Sequence, residues 1–132
     1  MNNKVYELKN GKGYVKEYNN DGKLKFEGEY LNGQRNGKGK EYGNDDILKF
    51  EGEYLNGKRN RKGKEYNKFG TLKFEGEYLN GKRWNGKGKE YWYNGKLIFD
   101  GEYLNGKRNG KGKEYYYDYK LSKFYLNLNS KT

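Results

Sequence analysis

Large apolar and charged residues alternate with a period of two in a stretch that occurs four times along the chain. In the first copy, residues 24–31, Phe26 and Tyr30 alternate with Glu27 and Glu29. A period of two places successive side chains on opposite faces of an extended chain. Each copy therefore predicts a β-strand with one aromatic face and one charged face.

An Asn-Gly pair follows each of these strands and predicts a hairpin turn. Asn32 and Gly33 are followed by residues 36–42, where glycine and lysine alternate before Glu41 and Tyr42. Asparagine and glycine accept the positive φ angles that a two-residue hairpin turn requires. We predict one β-hairpin in each copy.

Two registers are open to this hairpin. A tight Asn-Gly turn would place Gly28 opposite Gly37, whereas a six-residue loop would place Tyr30 opposite Gly37. Both put the same residues on the same face, because they differ by two residues. Glutamate then faces lysine across strands on one face, and aromatic rings lie over glycine on the other. The aromatic face is expected to carry Phe26, Gly28, Tyr30, Gly37 and Gly39, and the charged face Glu27, Glu29, Lys38 and Lys40.

The four copies recur at a nearly constant period. Their first aromatic residues, Phe26, Phe50, Phe74 and Phe99, lie 24, 24 and 25 residues apart, because Trp84 is inserted in the third copy. A fixed period of this length indicates stacked units that bury their faces against one another. We therefore predict an all-β fold, an elongated single-layer antiparallel meander of stacked β-hairpins. An extended surface, rather than one pocket, is expected to carry the function.

The two ends of the chain depart from the repeat, as the ends of such stacks do. We predict one domain over residues 1–132, with about four full repeats, a degraded N-terminal repeat and a C-terminal cap that is a strand or a short helix. The predicted segments are 1–25 for the degraded repeat, 26–49, 50–73, 74–98 and 99–115 for the repeats, and 116–132 for the cap.

Composition adds strong positive charge and many aromatic rings. The 132 residues include 29 lysines and arginines against 18 acidic residues, a net charge of +11. Only 22 residues are Leu, Ile, Val or Phe, a proportion that at this charge is typical of disorder. Sixteen tyrosines and two tryptophans supply large buriable area, however, and tyrosine recurs at fixed positions. We expect an ordered chain in which aromatic burial replaces an aliphatic core.

The residue inventory disfavours catalysis. The chain has no histidine and no cysteine, so the commonest general bases, nucleophiles and transition-metal ligands are missing. Residues 81–87 superficially match a phosphate-binding loop, but Gly88 stands where a Ser or Thr should hold Mg²⁺. We expect no enzymatic activity, no catalytic residue, no metal site and no cofactor. Apolar runs are short and no signal-peptide core is present, so a cytoplasmic location is expected.

The blocks resemble the MORN (membrane occupation and recognition nexus) repeat. That pattern has two aromatics around a glycine, then Asn-Gly, a basic turn and Gly-x-Gly. Here it stands as Phe50 to Tyr54, Asn56-Gly57, Lys58-Arg59 and Lys62-Gly63, with Arg61 in place of the first glycine of the pair. The match is good over residues 24–115 and weak over 11–23. The resemblance implies a twisted single-layer stack of hairpins. Members act as scaffolds or adaptors, oligomerise, or associate with acidic phospholipids and cytoskeletal structures.

Basic residues at equivalent turn positions are the first candidate site. A regular stack would align them into a ridge that attracts phosphate-rich surfaces such as lipid headgroups. The alternative is a solvated edge that keeps an aromatic-rich ribbon soluble. These candidate residues are Arg35, Lys58, Arg59, Arg61, Lys82, Arg83, Lys107 and Arg108.

Aromatic residues are the second candidate site, because exposed Tyr and Trp dominate many protein interfaces. The alternative for the repeated rings is packing within the chain. Trp84, Trp92 and Tyr93 break the repeat and are the stronger contact candidates. The candidate set is Tyr30, Tyr54, Tyr78, Trp84, Trp92, Tyr93 and Tyr103.

Two functional hypotheses follow from these surfaces. The first is a non-enzymatic scaffold or adaptor that binds a protein partner, or itself as a homodimer, through an aromatic groove. The second is a peripheral membrane module whose aligned basic turns bind acidic phospholipids. Nucleic-acid binding has weaker support, because the charged turns contain few rings for base stacking, and no small-molecule substrate is expected. The expected location is cytoplasmic, with attachment to a membrane or the cytoskeleton as an extension.

Overall fold

The computed structural model describes residues 4–9 and 11–127, and its regular structure is entirely β. Twelve strands follow the alternating segments of the sequence. They are β1 Lys4–Lys9, β2 Lys12–Tyr18, β3 Leu24–Leu31, β4 Gln34–Tyr42, β5 Leu48–Leu55, β6 Lys58–Tyr66, β7 Leu72–Leu79, β8 Lys82–Arg83, β9 Gly86–Tyr91, β10 Leu97–Leu104, β11 Lys107–Asp118 and β12 Lys123–Asn127.

All strands belong to one open antiparallel sheet. Eleven of them are hydrogen-bonded in chain order, and the two-residue β8 pairs with β7 beside β9. Neighbours in sequence are thus neighbours in space, as short links require. The predicted single-layer antiparallel meander is confirmed. The C-terminal segment, for which a strand or a short helix was open, forms β12 against β11.

The four Asn-Gly pairs form the predicted tight turns. Asn32 has a φ of 49° and Gly33 a φ of 83°, and the other three pairs have nearly the same values. Two successive positive φ angles are the mark of the hairpin turn that suits the twist of its strands. The tips of successive hairpins also touch, since Gly57 N donates to Arg35 O at 2.9 Å.

The hairpin combines the two registers that the sequence left open. At the tip Tyr30 faces Arg35, as a tight turn requires, whereas farther out Gly28 faces Gly39, as a six-residue loop would require. A β-bulge between these pairs sets residues 36–38 against Glu29 alone. The bulge adds two residues, an even number, so each side chain stays on its predicted face.

The core is a ladder of interlocking rings on one face of the sheet. The four repeated phenylalanines are at most 1% exposed and the four repeated tyrosines at most 6%. Each phenylalanine packs against a tyrosine of its own strand and, in the first three repeats, against one of the next repeat. The Phe50 ring lies 5.7 Å from Tyr54 and 5.2 Å from Tyr78, both close to perpendicular. Such edge-to-face contacts add about 0.5–1.5 kcal/mol each beyond area burial.

A row of glycines crosses the sheet beneath these rings. Gly39 pairs with Gly28 on one side and Gly52 on the other, and the row continues through the later repeats. A Cβ on Gly63 would lie 2.5 Å from Phe50 Cζ and 3.0 Å from Tyr78 Cε2. The rings therefore rest where side chains would otherwise stand, which is the packing reason expected for glycine inside these strands.

Two residues break the repeat without breaking the sheet. Arg61 has a φ of 62° where the other copies have glycine at positive φ, so a side chain occupies a left-handed position. The inserted Trp84 interrupts the third hairpin between β8 and β9, and its backbone N–H donates to the backbone carbonyl of Glu77 at 2.9 Å. The insertion is absorbed at a bulge, and β9 regains the register in which Glu75 faces Lys89.

Candidate partner-binding site

The arginine of each hairpin turn folds back onto the aromatic face. Arg35 Nε donates to Glu17 Oε2 at 2.8 Å, and Tyr30 Oη donates to the same oxygen at 2.7 Å. The Arg35 guanidinium also lies 4.0 Å from the centre of the Phe26 ring. We term this set of contacts an arginine latch. The four latches join Arg35 to Glu17, Arg59 to Glu41, Arg83 to Glu65 and Arg108 to Glu90.

Burial and pairing shift the pKa values of the latch residues. Burial alone would raise the pKa of Glu41, but hydrogen bonds from Arg59 and Tyr54 and the nearby positive charges lower it below its usual value. Burial, followed by the hydrogen bond to Glu41, raises the pKa of Tyr54. At neutral pH the glutamate is therefore an anion and the tyrosine a neutral donor, which is the state that the latch requires.

The structure divides the eight basic turn residues into two groups. The four latch arginines are half-buried on the aromatic face, so their guanidinium groups are already paired. Lys58, Lys82 and Lys107 are exposed at the hairpin tips, and Arg61 is exposed on β6. Anion binding by any of them remains a prediction.

The exposed tip lysines stand beside exposed leucines. Leu55 directly faces Lys58, and the equivalent pairs recur in the next two hairpins. The exposed fractions of the three leucines are 36–49%. The hairpin tips thus form an amphipathic edge, which we term the tip edge. Its members are Leu55, Lys58, Leu79, Lys82, Leu104 and Lys107.

The candidate aromatic residues also fall into two groups. Tyr30, Tyr54, Tyr78 and Tyr103 are 4–6% exposed and belong to the core ladder. Trp84, by contrast, is 39% exposed near the third hairpin tip, and Tyr93 is 60% exposed on the link after β9. Trp92 is half-buried beside Tyr93, with ring centres 5.6 Å apart. Partner contact by these residues remains a prediction.

The ring cluster around Trp92 and Tyr93 extends beyond the predicted set. Phe69 lies 6.3 Å from Tyr93, and Phe124 lies 6.1 Å from Trp92, measured between ring centres. Phe69 is 65% exposed. Sequence reasoning missed both phenylalanines because neither belongs to the repeat. Their signal was the presence of large apolar residues in a link and in a cap, where polar residues are the rule.

A groove runs across the charged face of the sheet. It has a volume of about 850 Å³ and crosses eight strands, from Tyr14 on β2 to Asp100 on β10. Glycine backbone forms its floor, and charged residues one position away on each strand form its two sides. In register, Lys40 lies between Glu27 and Glu51, and the alternation of sign continues across the sheet. The five strands β4, β5, β6, β7 and β9 each contribute two charges of one sign, and the sign changes from each of these strands to the next.

Hydrogen bonds occupy four of the six groove carboxylates but none of the described lysine ammonium groups of the groove. Tyr42 Oη donates to Glu27 Oε1 at 3.0 Å, and Tyr66 Oη donates to Glu51 Oε1 at 2.6 Å. Burial and this bond to Glu27 raise the pKa of Tyr42 to about 12. Within residues 11–127, no lysine of the groove forms an ion pair. The lysines concerned are Lys38 and Lys40 on β4, Lys62 and Lys64 on β6, and Lys87 and Lys89 on β9.

The groove was not among the candidate sites chosen from the sequence, although its charged face was predicted. Its signal is the paired triplets Glu-Gly-Glu and Lys-Gly-Lys, which place two equal charges on either side of a glycine. Among the described residues, no group of acidic side chains is arranged to hold a metal ion. The same part of the chain contains no helix with the length and apolar character needed to cross a membrane.

Comparison with known protein families agrees with this geometry. The model of the MORN repeat matches the chain four times, over residues 26–46, 50–68, 74–96 and 99–120. The matched segments together cover more than half of the chain and coincide with the four hairpins that carry the ring ladder. No curated protein matches the chain significantly. MORN repeats are a non-enzymatic repeat type that generally interacts with proteins or membranes. The chain belongs to the MORN repeat family.

Proposed function

We propose that this protein is a non-enzymatic scaffold that holds a segment of a protein partner in the charged groove. The observation that supports this most is the continuity of the groove, whose floor of glycines crosses six neighbouring strands, from β3 to β7 and β9, without an interrupting side chain. A concave surface of this length offers many contacts to a chain laid along it. The exposed Trp84 and Tyr93 and the half-buried Trp92, which lie outside the groove, would add aromatic anchors for such a partner.

The difference in burial between the aromatic face and the charged face favours this proposal over binding through the repeated tyrosines. Those tyrosines are buried against glycine and have little area left for a partner. The charged face needs no partner for its own folding, because the ring ladder and the latches lie on the other side. A rigid ladder behind an open groove keeps the groove preorganised, which lowers the entropic cost of binding.

Peptide display tests the proposal. Random dodecapeptides would be selected on the full chain and then measured on the groove variant Lys62→Glu with Lys64→Glu. The control Lys58→Glu with Lys82→Glu makes the same charge change at the tip edge. We expect selected peptides that lose at least tenfold in affinity on the groove variant and about twofold or less on the control. Peptides that bind both variants equally would place the partner site elsewhere.

A second candidate function, peripheral binding to acidic phospholipids, is favoured by the tip edge. Exposed leucines would enter the interface while the neighbouring lysines meet anionic headgroups at about 1 kcal/mol per charge. Flotation with anionic and neutral vesicles at low and high salt tests this. Binding that requires anionic lipid, weakens in salt and is lost in Lys58→Gln with Lys82→Gln would support it. Binding unchanged by these substitutions would contradict it. Under either function we propose a cytoplasmic location.

A further inference from the structure

We propose that the groove takes a partner segment in the polyproline II conformation with an acidic residue at every third position. This inference rests on the proposed function and names the chemistry of its partner. It comes from two observations on the groove. One is the distance at which its charges repeat, and the other is that the described groove lysines have no ion-pair partner.

The charge repeat of the groove matches one turn of a polyproline II helix. Strands that carry glutamate alternate across the sheet with strands that carry lysine. Neighbouring strands lie about 4.7–4.9 Å apart, so charges of the same sign recur about every 9.4–9.8 Å. A polyproline II helix rises about 3.1 Å per residue with three residues per turn, so its repeat is about 9.3 Å. Over three repeats the two patterns drift apart by only about 1 Å.

Other regular conformations fit this repeat less well. On one face of a β-strand, side chains recur about every 6.8 Å. This spacing is longer than the distance to the next strand and shorter than the distance to the next strand of the same charge, so a β-strand cannot keep its side chains over strands of one sign. Seven residues of an α-helix span about 10.5 Å, so a helix drifts by about 2–3 Å over three repeats.

The sign of the partner's charge follows from the unpaired lysines. Four of the five groove glutamates already accept hydrogen bonds, as Glu27 does from Tyr42 and Glu53 does from the backbone N–H of Lys62 at 3.3 Å. The lysines of the groove, within the described chain, have no such partner. On each lysine-bearing strand two ammonium groups flank one floor glycine, so an acidic residue above that glycine can reach both. Acidic residues three positions apart would meet β4, β6 and β9 in turn.

Defined peptides and the full-length protein test this directly. A labelled dodecapeptide of four Glu-Pro-Pro triplets carries the predicted period, and its length of about 37 Å covers the groove. A second peptide of equal composition places its four glutamates in succession before the eight prolines, so that only two of them stand three residues apart. A third replaces glutamate by lysine. Fluorescence anisotropy would give the three dissociation constants at low salt. We expect the first peptide to bind at least tenfold more tightly than the others.

Two triple variants of the protein locate the binding. Lys38→Gln with Lys62→Gln and Lys87→Gln removes one ammonium from each lysine pair of the groove. Changing the three tip lysines to Gln removes the same charge outside the groove. We expect at least a tenfold loss for the groove variant and about threefold or less for the tip variant. All substituted positions are exposed, so circular dichroism should show both variants folded.

Four results would overturn the inference. They are equal affinity for the two glutamate peptides, tighter binding of the lysine peptide, an equal loss in both triple variants, and no binding of any peptide. Its failure can be told apart from failure of the scaffold proposal by peptide display. Selected peptides that need the groove but lack a three-residue acidic period would sustain the scaffold and refute the polyproline partner.

Discussion

Substituting alanine for Gly63 should destabilise the sheet, because the added methyl group has no room. A Cβ on Gly63 would lie 2.5 Å from Phe50 Cζ and 2.6 Å from Phe50 Cε1, well inside van der Waals contact. Overpacking of this kind costs about 1–3 kcal/mol, and the lower chain entropy of alanine in the unfolded state offsets about 0.4–1 kcal/mol. The expected net loss is about 1–2 kcal/mol, which lowers Tm by roughly 4–8 °C.

Thermal unfolding followed by circular dichroism measures this loss. The neighbouring Lys62→Ala, which changes an exposed side chain of the groove, is the matched control and should stay within about 0.5 kcal/mol of the parent. Adding Phe50→Leu to Gly63→Ala should recover part of the loss, since the smaller side chain relieves the clash. The proposed packing of rings on glycine is refuted if Gly63→Ala is as stable as the parent. It is also refuted if the double variant loses the sum of the stabilities lost by Gly63→Ala and Phe50→Leu alone.

Three further results are expected. Arg61→Gly should raise stability by about 0.5–1 kcal/mol in urea unfolding, because it relieves a left-handed φ, whereas Arg61→Ala, which keeps the Cβ, should not. Three of the latch glutamates, Glu41, Glu65 and Glu90, have pKa values below their unfolded values, so the stability that they add is present at neutral pH. It should be lost as the pH falls through those lowered values, and Glu41→Gln should reduce the change in Tm between pH 7 and 3. In Trp92→Phe, the remaining Trp84 near the tip edge should shift its emission to the blue with anionic vesicles; an unchanged spectrum contradicts binding by that edge.

Local pattern was enough to predict the sheet, because its causes lie within a few residues. The alternation of Phe26 with Glu27, the Asn32-Gly33 turn and the constant period each act over short distances, and together they specify a meander. The bulge at residues 36–38 was not predicted as such. The bulge joins the register of a tight turn at the hairpin tip to the register of a six-residue loop in the rest of the hairpin. Each of the two predicted registers alone therefore described only part of the hairpin.

The latches show why the candidate site was harder to predict. Arg35 stands beside a hairpin turn, a position that usually faces water, yet it pairs with Glu17 on the preceding hairpin. That partner is 18 residues away, and the same separation recurs in each later latch. The constant spacing was visible in the sequence, but only the folded sheet shows that the two positions meet over a phenylalanine ring. The unpaired groove lysines likewise emerge only once their neighbours' hydrogen bonds are known.

The most direct test of the groove as the partner site is an NMR titration of the ¹⁵N-labelled protein with a peptide selected by display. The backbone amides of the glycines report on the groove floor and on the hairpin turns in one spectrum. Those of the groove floor are Gly39, Gly52, Gly63 and Gly76, and those of the hairpin turns are Gly33, Gly57, Gly81 and Gly106. We predict that the floor amides shift together on binding while the turn amides stay in place. Shifts confined to the turn glycines, with the floor unchanged, would contradict the assignment of the groove as the partner site.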